Sequence, residues 1–465
     1  MMDPVLIGEV LSVVMFFGII GALMLGYPVA FSLAGVSLFF AGIGWYFGAF
    51  DPSNFNSLAS RYIGVMLNEV LVAVPLFIFM GMMLERSGIA EKLLITMGRM
   101  FGSLRGGLGL SVIVVGALLA ASTGIIGATV VTMGLLSLPA MLRAGYDPRL
   151  ATGVICASGT LGQIIPPSTV LIFMGDMLSG INAQVQMEKG NFAPSAVSVG
   201  DLFAGAFMPG LMLVSFYMLW MVYKSVKDPK SCPALEVTAE EKASLGRDVL
   251  TSLVPPLVLI MAVLGSILAG IATPTESAAV GAVGAMLLAA VKRKLNLTSL
   301  RECMAATANT TTMVFVILLG ASVFSLVFRM LGGDELVSDF LSNLPGGTLG
   351  AILFVMLLMF LLGFILDTFE IIFIVLPITA PILLMMDVDP VWLGVMVAIN
   401  LQTSFLTPPF GFALFYLRGV APSSVSTRMI YEGVLPFVAI QILALATLIL
   451  FPEIVTWLPA KLYGN

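Results

Sequence analysis

Residues 158–168 read Ser-Gly-Thr-Leu-Gly-Gln-Ile-Ile-Pro-Pro-Ser, in the middle of an apolar stretch that covers 147–180. Pro166 and Pro167 lack amide hydrogens and clash with the preceding turn, so a helix over this stretch must break here. The break deprives backbone carbonyls around 158–162 of their helical donors. These oxygens are therefore candidate ligands for a cation.

A second Pro-Pro pair, Pro408 and Pro409, follows Asn-Leu-Gln-Thr-Ser-Phe-Leu-Thr inside the apolar stretch 390–419. The two breaks belong to an ordered set of landmarks that recurs at offsets of 238 to 242 residues. The matching pairs are Gly106-Gly107 and Gly346-Gly347, Leu138-Pro139 and Leu376-Pro377, Asp147-Pro148 and Asp389-Pro390, and Gly153 and Gly394. This order predicts an internal repeat.

The composition is that of an integral membrane protein. Of 465 residues, 59% are hydrophobic and 10% are charged, and the net charge is −5. Soluble domains carry about 25% charged residues, and a helix needs about 20 apolar residues to span a bilayer. Candidate spans cover 5–26, 27–48, 70–85, 200–223, 249–270, 276–291, 305–328 and 433–458. This composition excludes nucleic-acid binding.

The chain lacks several residue types and motifs that particular classes of protein need. The chain has no histidine, its three cysteines show no metal-binding spacing, and no Gly-Lys-Ser/Thr motif for ATP is present. The spans contain no nucleophile–base pair. We therefore expect neither an enzyme nor an organic cofactor. A passive channel is disfavoured as well, because it has no need of the inverted arrangement that the charges indicate for the two repeats.

The positive charges fix the orientation. Of 21 Lys and Arg residues, 17 fall in one set of loops, and only Arg61, Lys189, Arg329 and Lys461 fall in the other. The positive-inside rule places the larger set in the cytoplasm and both termini outside. This separation requires the stretches 108–143 and 350–386 to be re-entrant hairpins. The two repeats then have inverted topology, which is typical of secondary transporters.

These landmarks divide the chain into five predicted segments. They are the N-terminal scaffold helices 1–65, the first repeat 66–180, the central scaffold helices 200–292 with a cytoplasmic loop at 224–247, the second repeat 300–420 and the C-terminal helix 421–465. Each repeat contains one hairpin followed by one Pro-Pro-broken helix. The predicted fold class is an all-α polytopic membrane protein.

The hairpin tips carry the polar groups. The first tip contains Ser122-Thr123-Gly124, whose small side chains leave room for an ion or substrate beside free backbone groups. The second contains Gly363, Asp367 and Glu370. Because an ionisable residue at membrane depth is costly, Asp367 either binds a cation or caps the following helix, and Glu370 favours the cap.

These motifs resemble the large membrane subunit of TRAP transporters, the tripartite ATP-independent periplasmic transporters of the DctM-like family. The Gly-Gln-Ile-Ile-Pro-Pro-Ser run at 162–168 is the most specific part of the likeness. The resemblance implies an elevator-type, Na⁺-driven importer of small organic anions in a bacterial inner (plasma) membrane. It also implies two partners, a small four-helix DctQ-like membrane subunit and a periplasmic DctP-like binding protein. A stand-alone divalent-anion/Na⁺ symporter shares the hairpin plan and is the alternative.

By this analogy, sodium lies between each tip and a broken helix. The candidate sodium ligands are Ser122, Gly124, Ser158, Gly159, Gly162, Gly363, Asp367, Thr403, Ser404 and Thr407. The candidate residues for the organic anion, which we expect to be a carboxylate such as a C4-dicarboxylate, a 2-oxo acid or a sugar acid, are Ser122, Thr123, Thr160, Asp367, Thr368 and Thr403.

Overall fold

A computed structural model describes residues 3–124, 126–192, 196–235 and 239–464, with the side chains of Ala90, Ser122, Thr123 and 239–242 left out of the description. The described residues form helices and connecting turns, with no strand among them. The α-helices are α1 Pro4–Met24, α2 Val29–Tyr46, α3 Asn56–Met66, α4 Ala73–Arg86, α5 Ile89–Phe101, α6 Gly107–Thr123, α7 Ile126–Arg143, α8 Pro148–Thr160, α9 Thr169–Glu188, α10 Val199–Lys227, α11 Ala239–Asp248, α12 Val254–Leu268, α13 Pro274–Val291, α14 Leu297–Met330, α15 Gly333–Ser342, α16 Gly347–Leu362, α17 Thr368–Ile374, α18 Leu376–Met385, α19 Pro390–Leu406, α20 Phe412–Val420, α21 Thr427–Leu450 and α22 Glu453–Tyr463.

Within the described ranges, eight helices are long and apolar enough to cross a bilayer. They are α1, α2, α7, α10, α13, α14, α21 and the continuous helix Ala243–Leu268. Two bent pairs raise the number to ten, with bends of 54° between 52–66 and 70–86 and of 56° between α17 and α18. The chain is therefore an all-α polytopic membrane protein, as its composition predicts.

The C-terminal segment differs from the predicted single span over 433–458. The helix α21 begins at Thr427, where the Ser426 Oγ accepts a hydrogen bond from the Met429 amide, and it ends at Leu450. Phe451 leaves the helical region with φ −131° and ψ 71° because the residue before a proline, here Pro452, is sterically pushed towards extended backbone. A second helix, α22, follows.

The helices form two compact units. Unit 1 contains Met1–Leu71, Asp176–Val197 and Asn309–Leu393, and unit 2 contains Val72–Gly175, Ser198–Ala308 and Gly394–Asn465. In unit 1, α1 packs on α2, and α15 packs on both α16 and α18. A Cβ at Gly320 would lie 2.5 Å from the carbonyl oxygen of Ala30, so this glycine lets α14 and α2 meet backbone to backbone.

Unit 2 is built around α8. This helix packs against both α6 and α7, and it crosses α21 where Gly153 meets Gly433. A Cβ on either glycine would overlap a backbone carbonyl of the other helix, from Gly433 or from Arg149. The close crossing therefore requires glycine at both positions. Packing against α6, α7 and α21 buries α8 completely from Ala151 to its end, and the Pro-Pro break follows directly.

Candidate functional site: two broken helices and two hairpin tips

The first predicted hairpin folds back on itself. Its two arms, α6 and α7, pack against each other. Before α6, the Gly106 amide donates to the carbonyl of Cys232 over 2.9 Å. After α7, the Asp147 amide donates to the carbonyl of Ser231, also over 2.9 Å. Because Ser231 and Cys232 are consecutive residues, the chain enters and leaves this hairpin at the same end.

The tip of this hairpin rests on the start of α9. Gly124 has φ +61°, a left-handed conformation that suits glycine, and its carbonyl accepts a hydrogen bond from the Thr169 Oγ1 over 3.1 Å. A Cβ at Gly124 would lie 3.1 Å from both the amide nitrogen and the Oγ1 of Thr169. The side chains of Ser122 and Thr123, which the sequence also assigns to this tip, lie outside the described residues.

The first break separates α8 from α9. A 3₁₀ turn, Leu161–Gln163, follows α8, and Pro166 and Pro167 are joined by a cis peptide bond. Several carbonyls in the break accept hydrogen bonds: Ser158 from the Leu161 amide, Leu161 from two amides, and Gln163 from the Ser168 Oγ over 3.0 Å. Each carbonyl oxygen has a second lone pair, which is the part available to a cation.

Small residues bring this break against both arms of the hairpin. A Cβ at Gly116 in α6 would lie 2.5 Å from the Cβ of Ser158, and one at Gly162 would lie 3.5 Å from the Ala120 carbonyl oxygen. On the other arm, a Cβ at Gly159 would overlap the side chain of Val130 and lie 3.2 Å from its Cα. Three of the predicted sodium ligands, Ser158, Gly159 and Gly162, thus contact the first hairpin.

The second break has the same construction. It lies between α19 and α20 and contains a second cis Pro-Pro bond, Pro408–Pro409. The Thr403 Oγ1 donates to the Ile399 carbonyl over 2.8 Å, and the Thr407 Oγ1 donates to the Thr403 carbonyl over 2.7 Å. Ser404 is fully buried. Thr403 and Ser404 therefore lie inside the protein, as Ser158 and Thr160 do before the first Pro-Pro pair, while Thr407 is half-buried.

A hydrogen bond joins the two breaks within unit 2. The Gln402 Nε2 donates to the Thr160 Oγ1 over 3.3 Å, although the two residues are 242 positions apart in the chain. Nearby helices contribute another buried pair, in which the Gln441 Nε2 donates to the Tyr217 Oη over 2.8 Å. All four side chains are fully buried, and buried amides in a membrane protein are costly unless they are paired.

Neither glutamine was predicted as a site residue. The sequence feature that could have identified them is a side-chain amide inside an otherwise apolar helix, α19 or α21. Gln441 stands alone in the apolar part of α21, and Gln402 directly precedes two predicted ligands, Thr403 and Ser404. The separation of 242 positions equals the offset between the two Pro-Pro pairs, so Thr160 and Gln402 are equivalent positions of the repeat, but the hydrogen bond between them follows from the tertiary fold.

The second hairpin tip belongs to unit 1. Asp367 is the N-cap of α17, where its Oδ1 accepts from the Thr368 amide over 2.7 Å, and the Glu370 Oε2 accepts from the Asp367 amide over 3.1 Å. The Asp367 side chain also accepts from the Glu370 amide, and this bond and the one from the Asp367 amide to Glu370 form a capping box. Of the two roles left open for Asp367, the structure shows the cap. Gly363 ends α16 just before this turn.

The predicted residues thus fall into two groups. The described ones in unit 2 surround the two breaks and the first tip: Gly124, Ser158, Gly159, Thr160, Gly162, Thr403, Ser404 and Thr407. Those in unit 1 form the second tip: Gly363, Asp367 and Thr368. In the part of the chain that the structure describes, no three His, Cys, Asp or Glu side chains come together as metal ligands. The two breaks offer backbone carbonyl and hydroxyl oxygens as ligands for a cation, and the second tip adds the carboxylate of Asp367.

The fold and these breaks define a polytopic membrane protein with two broken helices linked in its interior. The chain matches the family "Tripartite ATP-independent periplasmic transporter, DctM component" over residues 16–454, and it belongs to this family. The family that the Pro-Pro motif at 162–168 predicts is therefore confirmed.

Similar proteins span nearly the whole chain. The C4-dicarboxylate TRAP transporter large permease protein DctM of Rhodobacter capsulatus is 30% identical over 458 residues, covering 97% of this chain and 98% of that protein. The sialic acid TRAP transporter large permease protein SiaM of Vibrio cholerae is 28% identical over 449 residues, covering 96% and 98%. Among solved structures, the Alcanivorax borkumensis YdaH transporter has a TM-score of 0.61 at 14% identity, covering 87% and 89%, which is a likeness of fold alone.

Proposed function

We propose that this chain is the large permease subunit of a sodium-coupled importer for a small organic anion. The observation that carries the proposal is the pair of Pro-Pro-broken helices, joined by the bond from Gln402 to Thr160, in a member of the DctM family. Helix breaks at membrane depth supply the free backbone groups that secondary transporters use for ions and substrates. The relatives named for C4-dicarboxylates and sialic acid support a carboxylate as the substrate.

Sodium takes oxygen ligands at both breaks in this proposal. The first site uses the tip at Ser122 and Gly124 with carbonyls of Ser158, Gly159 and Gly162. At the second break the proposed sodium ligands are Thr403, Ser404 and Thr407, and at the second tip they are Gly363 and Asp367. In unit 2 the proposed residues for the carboxylate of the substrate are Ser122, Thr123, Thr160 and Thr403, which offer hydroxyl groups. In unit 1 they are Asp367 and Thr368 at the N-terminus of α17, because helix N-termini attract anions.

The hairpin geometry supports a cytoplasmic entry for the first hairpin. Both of its ends bond to Ser231 and Cys232, and the segment that carries these residues also contains Lys224, Lys227 and Lys230. By the positive-inside rule this segment is cytoplasmic, so the first hairpin is re-entrant from that side and both chain termini are periplasmic. An elevator-type movement of the hairpins and broken helices would expose the bound anion to each side in turn.

Two partners complete the proposed importer in the bacterial inner membrane. The family is described as tripartite, and the relatives are named large permease proteins. A small four-helix membrane subunit and a periplasmic binding protein that delivers the anion fit these descriptions.

Uptake into proteoliposomes tests the proposed function. We expect vesicles containing this chain and its small subunit to accumulate labelled succinate or sialic acid only with an inward sodium gradient and added binding protein. A potassium gradient of equal size is the control. Accumulation without sodium contradicts the coupling, and sodium-driven uptake without any binding protein would assign the chain to the stand-alone anion symporters instead.

Replacing Thr169 by valine should weaken sodium binding at the first tip. Valine keeps the shape but removes the hydroxyl that bonds to the Gly124 carbonyl. A hydrogen bond of this kind contributes about 1 kcal/mol, so we expect the half-saturating sodium concentration to rise about fivefold. Sodium titration of the uptake rate measures this, with Thr169→Ser as the matched control that keeps the hydroxyl. Equal values for both variants would refute a role for this bond.

A further inference from the structure

A cleft of about 490 Å³ opens in unit 2 between α5 and α7, the second arm of the first hairpin. We refer to it as the α5–α7 cleft. Most of its wall is apolar, from residues such as Leu94, Ile95, Leu135 and Leu136. Ile95 is 46% and Leu135 57% exposed, so the apolar wall is open to the surroundings. The cleft includes none of the residues proposed for sodium or for the organic anion.

Three charged side chains border this cleft, and they differ in how they are paired. Arg99 forms an ion pair with Asp248 over 3.2 Å, which neutralises it, and Glu91 is the single acid. Arg143 donates from Nε to the Pro139 carbonyl of its own helix over 3.3 Å. Its terminal nitrogens have no hydrogen bond or ion pair among the described residues. Arg143 is therefore the group in the cleft that can receive an anion, and its planar fork suits a phosphate.

The position of the cleft indicates that Arg143 lies at the cytoplasmic membrane interface. The helix α5 is amphipathic, with Leu93 and Met97 buried against the protein and Lys92 on its polar side, as in helices that lie in the membrane interface. Arg99 and Arg143 both belong to the set of positive residues that the charge distribution places in the cytoplasm. Basic pockets between helices on this side of a membrane are suited to anionic lipid head groups.

The size of the cleft argues against a helix of another membrane protein as its occupant. A helix about 10 Å wide fills roughly 420 Å³ for each turn of 5.4 Å, so the cleft would hold little more than one turn. A single acyl chain is thinner and can follow a narrow apolar wall over a greater length.

We propose that the α5–α7 cleft is a binding site for an anionic phospholipid. The phosphate of the head group binds the terminal nitrogens of Arg143, and an acyl chain lies along Leu94, Ile95, Leu135, Leu136 and Ala140. Such a lipid would bridge the interfacial helix and the base of the first hairpin.

Native mass spectrometry of the full-length chain tests this site. The protein is purified in detergent and incubated with phosphatidylglycerol, phosphatidylethanolamine or inorganic phosphate, and bound lipid is counted. Since one basic residue near a membrane surface contributes about 1 kcal/mol to the binding of anionic lipid, Arg143→Gln should lower the affinity for phosphatidylglycerol about fivefold. Ala140→Trp keeps the arginine but fills the apolar wall, and it should lower the occupancy to a similar degree.

Lys294→Gln is the matched control, because this exposed cytoplasmic residue loses the same charge but does not line the cleft. We expect this control to bind phosphatidylglycerol like the wild type. Equal losses in Lys294→Gln and Arg143→Gln would show non-specific charge attraction and overturn the proposal. It is also overturned if Ala140→Trp binds the lipid normally, or if inorganic phosphate displaces the lipid completely, which would indicate a site for a free anion.

Discussion

Gly159→Leu is expected to slow uptake strongly while leaving the protein folded. Gly159 lies at the end of α8, where a Cβ would already overlap the side chain of Val130 and approach its Cα to 3.2 Å. Because Val130 is on α7, the larger side chain pushes this arm of the first hairpin away from the break. Overpacking of this kind costs about 1–3 kcal/mol, so we expect the initial uptake rate to fall at least tenfold.

Gly265→Leu provides the matched control, since Gly265 lies inside α12 and a Cβ there has no neighbour within 4 Å. Thermal unfolding followed by fluorescence or circular dichroism establishes that both variants fold. Normal uptake by Gly159→Leu would show that the contact between α7 and α8 has no role in transport. A loss of uptake in both variants would attribute the effect to leucine substitution in general.

Asp367→Asn and Asp367→Ala should separate the two roles of this residue. Asparagine is as good an N-cap as aspartate, so the first variant keeps the bond to the Thr368 amide but removes the charge. If the carboxylate also binds sodium, the half-saturating sodium concentration rises about tenfold in Asp367→Asn with little change in melting temperature. Asp367→Ala loses the cap as well, at a cost of about 1 kcal/mol, and should also melt earlier.

Thr273→Ala is the control for the loss of a cap, because Thr273 and Glu276 form the same capping box at the start of α13. We expect this variant to melt earlier with unchanged sodium dependence. Wild-type sodium dependence in Asp367→Asn would identify Asp367 as a cap only and remove it from the proposed sodium site.

The helix breaks could be predicted from the sequence because their causes are local. Pro166, Pro167, Pro408 and Pro409 remove amide donors wherever they occur, and the structure has no α-helix across either pair. The capping box of Asp367 and Glu370 is equally local, since Ser, Thr, Asp or Asn followed three residues later by Glu or Gln is its sequence signature. The end of α21 was predicted wrongly because apolar composition continues past Leu450, although Pro452 already carried the stop signal.

Other parts of the site depend on contacts that no spacing encodes. The repeat makes Gln402 and Thr160 equivalent positions, but it does not indicate that their side chains bond to each other, and nothing near Gly153 indicates that it meets Gly433. The α5–α7 cleft likewise exists only because α5 packs beside a hairpin that starts several residues later. Predicting such features requires knowledge of the tertiary fold, which brings small and polar residues that are distant in the chain into contact.

The paired bonds at the base of the first hairpin limit how this hairpin can move. Gly106 and Asp147 are both hydrogen-bonded to adjacent residues of one connecting segment. The two ends of the hairpin therefore cannot separate without breaking one of these hydrogen bonds. Any displacement of the segment that contains Ser231 and Cys232 moves both ends of the hairpin together. Opening of the hairpin is therefore confined to its tip, where the hydrogen bond from the Thr169 Oγ1 to the Gly124 carbonyl holds it against α9.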